Sequence, residues 1–242
     1  MPVYGYIFLF FAVITGGSLA FIFRKLKEIY LKLLLSFSAA YLFALCIMHL
    51  IPDVYAHFRF LTGIFILGGF FIQILLEFFS QGIEHGHMHI HAHSQGHLPW
   101  GILVGLCIHS FLEAMPLAQQ YDDPAVANSL LLGIILHHVP VSMALVALLI
   151  EAGVTIKKSV MVLVILAMMG PAGAATSQIL TTNQWMEMSQ YSDLIMALVI
   201  GIFLHISTTI LFESTENHRF NLYKIIAFLT GTGFALLMTW KG

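Results

Sequence analysis

Long apolar runs, each closed by a short polar break, organise this chain. A helix needs about 20 mostly apolar residues to cross a bilayer. Runs of that length fall at about 3–23, 31–51, 60–80, 98–119, 125–150, 158–180, 193–212 and 221–240. Pro52-Asp53, Asp122-Asp123-Pro124, Glu151-Ala152-Gly153 and the stretch from Glu213 to Arg219 supply breaks between them. The pattern predicts an all-α polytopic membrane protein, a bundle of eight transmembrane helices. These spans use most of the 242 residues, so 1–242 is expected to form one transmembrane domain with no folded soluble unit.

Composition supports the same class. The chain is 59% hydrophobic and only 9% charged, where a soluble domain carries roughly 25% charged residues. Its mean hydropathy is +0.91. A net charge of −2 leaves no basic face, so no nucleic-acid partner is expected. Orientation follows from Lys and Arg in the short loops. Arg24, Lys25, Lys27, Lys32, Lys157, Lys158, Arg219 and Lys224 fall on one side, against Arg59 and Lys241 on the other. Both termini are therefore expected outside, with the odd-numbered loops cytoplasmic. The first run lacks a positive leader region and is expected to be a retained span. Cys46 and Cys107 lie in apolar runs without CxxC spacing, which reads as small buried hydrophobes rather than a disulfide or thiolate site.

The chemistry lies in histidines and carboxylates at membrane depth. In span four, His109 and Glu113 are four residues apart and share one helix face. Pro116 follows on that face and removes the backbone donor to the Leu112 carbonyl, which would offer an extra oxygen. In span five, His137 and His138 precede Pro140, which disturbs the Leu136 carbonyl in the same way. Ionisable groups are expensive in lipid and mark interior sites or paths. An isolated carboxylate there demands a proton or a cation. The two helices together predict a shared metal site among His109, Glu113, His137 and His138.

Three further features extend this reading. Span two ends in His49-Leu50-Ile51-Pro52-Asp53, again His and carboxylate four apart, a candidate entrance together with Asp122 and Asp123. The cytoplasmic loop over 81–97 carries His85, His87, His89, His91, His93 and His97, six of the 13 histidines. Such a segment has no apolar periodicity and suits weak metal capture. His205 in span seven reads as an interior packing or pathway residue, and His57 and His218 as solvated ends.

At these residues the chain resembles the Zrt/Irt-like (ZIP) family of divalent metal transporters. The shared features are eight spans, a His-rich loop between spans three and four, and H-L-x-P-[DE] closing span two. The most specific are H-[NS]-x-x-[ED]-G and H-E-x-P one span later, which read here as His109-Ser110-Phe111-Leu112-Glu113-Ala114 and His137-His138-Val139-Pro140. The resemblance implies an alternating-access bundle, often a homodimer, that moves metal towards the cytosol. Departures from the family pattern at His138, Val141 and Gly170 leave Glu113 as the one acid and predict a single-ion site, with His109, Glu113 and His137 as ligands and His138 as a fourth candidate.

The expected function is uptake of Zn²⁺ through the lipid bilayer, since nitrogen and oxygen ligands without sulfur favour zinc; Cd²⁺, Fe²⁺ and Mn²⁺ remain in range. The ion is cargo, and no prosthetic group or enzymatic activity is expected. Two other classes use the same residues. A membrane-embedded zinc hydrolase would take Glu113 or Asp53 as general base, but the chain has no H-E-x-x-H motif and no nucleophile beside a base. A metal exporter or sensor would also suit the His-rich loop, although cation-diffusion exporters carry a cytosolic domain after the last span. Compact loops suggest a bacterial inner membrane.

Overall fold

The computed structural model describes residues 3–23, 28–56, 59–83, 98–119, 121, 123–182, 188–212 and 222–240. Among them the regular structure is entirely helical, as backbone groups without water require. The helices are α1 (Val3–Ile22), α2 (Glu28–Leu45), α3 (Ile51–Tyr55), α4 (Arg59–Ser80), α5 (Trp100–Ala114), α6 (Pro124–Glu151), α7 (Ile156–Thr182), α8 (Met188–Phe212) and α9 (Leu222–Thr239). With α2 and α3 counted as one continuous span, eight are long and apolar enough to cross a membrane. The protein is a multi-pass integral membrane protein.

Span two corrects one expected boundary. It does not stop at Ile51 but runs on to Tyr55. Pro52 has no N–H to donate, yet the helix absorbs the defect instead of ending. A π turn over Cys46–Leu50 widens the backbone so that the Ile51 N–H reaches Cys46 O, and α3 resumes with Pro52 in its first turn. Wide turns of this kind are frequent at functional sites. In span four, α5 stops at Ala114, ahead of Pro116, and the chain tightens into a 3₁₀ turn, Met115–Ala118. Pro140 and Pro171 lie inside continuous helices.

The helices sort into two groups of four by their packing. One group holds α1, α5, α6 and α7; the other holds α2, α4, α8 and α9. Small residues allow close approach within each group, as is usual where lipid gives no hydrophobic drive between helices. In α4 and α8, a Cβ on Gly69 would overlap the Leu198 carbonyl and one on Gly201 would overlap the Ile66 carbonyl. In α5 and α7, a Cβ on Gly173 would overlap the Phe111 carbonyl, midway between His109 and Glu113 in sequence.

The groups meet along two seams. At α2 and α6, Tyr41 is fully buried and its hydroxyl donates to Ser129 O at 3.1 Å. At α4 and α5, Gly105 rests against Leu76 and Ser80, which brings His109, one turn further along, over Gln73. The large apolar side chains left exposed, such as Phe60, Phe71 and Phe78 of α4, form the outer surface expected against lipid.

Candidate metal centre

His109 and Glu113 project from α5, and His137 and His138 from α6, all four essentially inaccessible. Each of His109, Glu113 and His137 offers a ligand atom, and the three atoms lie within 4.8 Å of one another. No other group of three or more such residues occurs among the described residues. The His109 and His137 rings stand nearly perpendicular, with centroids 5.8 Å apart.

The protonation pattern follows from the neighbours. His109 Nδ1 lies 3.1 Å from the Gln73 side-chain oxygen, which can only accept, so Nδ1 carries the proton and donates. A neutral imidazole then has its lone pair on Nε2. That atom faces Glu113 Oε1 at 3.3 Å. The imidazole lone pair and the carboxyl oxygen thus face one small buried space, which either a shared proton or a shared cation can fill. Ligand bonds of 2.0–2.2 Å in a tetrahedral zinc site put neighbouring donors about 3.3–3.6 Å apart. The His109–Glu113 spacing matches that value.

His138 occupies a different place from the other three. Its Nε2 donates to Glu113 Oε2 at 3.1 Å, on the carboxylate oxygen turned away from His109. Its ring lies 6.4 Å from that of His137. Adjacent residues on a helix point about 100° apart, so His137 faces the donor group while His138 holds the carboxylate from the side. Gly170 of α7 lies beyond it: a Cβ there would sit 3.9 Å from His138 Cε1 with no close contact. A Cβ fits there in ordinary contact with Leu9 and His138. The Leu112 carbonyl, expected to be released by Pro116, is taken up by the Met115 N–H and is not left over as a ligand oxygen.

The entrance candidates lie at one end of span two. His49 is half-buried in the π turn and Asp53 is exposed on α3. Tyr121 ties this end to the 3₁₀ turn after α5, because its hydroxyl donates to Pro116 O at 2.9 Å. Burial pushes the Tyr121 phenol well above its ordinary value, and the nearby Asp53 charge adds to the shift. Asp123 caps α6 by accepting from the Ala125 N–H at 2.9 Å. The loop candidates His85, His87, His89, His91, His93 and His97 lie outside the described residues, as do His57, His218 and Asp122.

Two polar residues escaped the sequence reading. Gln73 is fully buried on α4 and contacts the centre from the opposite helix group. Glu77, one turn later, meets His205 of α8: Oε2 and Nε2 are 3.4 Å apart. His205 is 6% exposed and its ring stands edge-on to Phe70. The available signal was Gln-x-x-x-Glu inside an otherwise apolar span.

The model of the ZIP zinc transporter family matches residues 84–239, which include all four side chains of the centre. The chain belongs to the ZIP family. Members of this family are divalent metal transporters, and the buried His and Glu donors on two facing helices are of the kind such a cargo needs. No curated protein matches the chain.

Proposed function

We propose that this ZIP protein takes up Zn²⁺ into the cytosol, with 1–242 acting as one transport domain and His109, Glu113 and His137 as the ligands of a single intramembrane site. The observation that carries this reading is the facing pair His109 Nε2 and Glu113 Oε1, 3.3 Å apart and fully buried, with His137 within reach. Nitrogen and oxygen donors without sulfur suit Zn²⁺. Water completes the coordination. One carboxylate leaves a bound dication only partly neutralised, which keeps the site weak enough to release its cargo.

All three ligands belong to the α1, α5, α6, α7 group, while Gln73 belongs to the other. Rocking of one group against the other along the α2–α6 and α4–α5 seams gives alternating access around a site that travels intact. The loop charge bias supports both termini outside, so that cargo passes from Asp53 and His49 towards the side bearing the His-rich loop. His138 holds Glu113 in position.

Zinc affinity of the purified full chain tests the ligand assignment. Because the loop histidines also bind metal, wild type is compared with His109→Ala and His137→Ala in protein whose loop histidines are replaced. Both substitutions remove the high-affinity site. Unchanged affinity in either would remove that residue from the ligand set.

A further inference from the structure

We propose that Glu77 and His205 form a second cation station, one step from the buried centre on the way to the His-rich loop; this rests on the transport reading above. The pair joins α4 to α8 within the membrane-spanning part of the bundle, where neither residue is needed to hold the helices together. Gly69 and Gly201 already bring those backbones into contact. An imidazole and a carboxylate facing each other inside an apolar span can share either a proton or a cation. Glu77 Oε2 and His205 Nε2 stand 3.4 Å apart, the spacing of neighbouring donors around a tetrahedral dication.

Position supports the same assignment. Gln73 and Glu77 lie four residues apart on one face of α4, a rise of about 6 Å. Gln73 touches His109 of the centre, and Glu77 is the next polar side chain towards the end of the span. Eight residues after Glu77 comes His85, the first histidine of the loop. An ion leaving His109 and Glu113 thus meets Glu77 and His205 before the loop. The Glu77 side chain is 28% exposed, whereas His205 is shielded and its ring stands edge-on to Phe70. The station offers one nitrogen and one oxygen donor, with water for the rest, and so binds a dication more weakly than the centre.

Counting bound Cd²⁺ on the detergent-purified full chain tests the station. The loop histidines contribute equally to every variant and cancel in the differences. Glu77→Gln loses one ion relative to wild type, Glu113→Ala loses one, and the double variant loses both. Glu77→Asp, which keeps the carboxylate, restores the count. His205→Gln gives the same loss as Glu77→Gln and carries the test if the latter does not fold. A count unchanged by Glu77→Gln and His205→Gln, with only the melting temperature lowered, would reduce the pair to a helix–helix contact. The count does not depend on flux. A wild-type chain that moves no metal in liposomes, yet loses one ion with Glu77→Gln, would overturn the transport reading and leave the station standing.

Discussion

Gln73 of α4 and His109 of α5 are joined by a 3.1 Å hydrogen bond that crosses from one helix group to the other. The bond fixes which imidazole nitrogen faces Glu113. It also makes the orientation of a candidate ligand depend on how the two groups sit. Partners that orient metal-bound histidines typically contribute 10–100-fold in affinity.

Gln73→Leu therefore lowers Zn²⁺ affinity by about 10–100-fold without removing any ligand. Gln73→Glu keeps an acceptor for the His109 N–H and loses less. Competition against a zinc chelator, in protein lacking the loop histidines, measures both. Equal affinity in wild type and Gln73→Leu would show that His109 is oriented by packing alone.

His137 and His138 separate by function although they are adjacent. On the proposed assignment, His137→Ala is expected to remove a ligand and abolish zinc binding at the centre. His138→Ala leaves the ligand set intact but strips a donor from buried Glu113, so the ion-free protein loses about 1–3 kcal/mol of stability. Thermal unfolding without metal, set beside zinc titration, distinguishes the two. The reverse pattern would exchange their roles.

Close packing at α5 and α7 supports the centre from behind. A Cβ at position 173 would strike the Phe111 carbonyl, while one at Gly233 of α9 would meet nothing within 4 Å. Gly173→Ala is expected to cost about 1–3 kcal/mol and to weaken metal binding by shifting α5. Gly233→Ala, at an open helical position, gains roughly 0.5–1 kcal/mol. Similar melting temperatures for the two variants would contradict the crossing described.

Gly170→Glu introduces a carboxylate beside His138, where a Cβ meets only ordinary contacts with Leu9 and His138 and where the family pattern has an acid. The variant is expected to fold and to bind one more Cd²⁺ than wild type. An unchanged ion count would mean that the missing acid at Val141 is the limiting one.

The spans could be read from sequence because lipid demands about 20 apolar residues per crossing, and few alternatives satisfy that length. His109, Glu113 and His137 were visible for a related reason: donors are rare in such runs. Three features were not. Pro52 gave every sign of closing span two, since nothing in the local pattern distinguishes a proline that ends a helix from one absorbed by a π turn. Gln73 is uncharged and does not interrupt an apolar run, so its contact with His109 emerges only when α4 lies against α5. The different placements of His137 and His138 depend on the rotation of α6, which the neighbouring helices set.

Zinc influx into sealed proteoliposomes, followed with a trapped zinc-sensitive dye, tests the central claim most directly. Wild-type protein is expected to carry Zn²⁺ into the lumen down its gradient. Glu113→Ala, with the one carboxylate of the centre removed, is expected to reduce influx to the level of protein-free liposomes while still reconstituting as a folded chain. Influx equal to wild type in Glu113→Ala would contradict transport through the His109–Glu113–His137 centre.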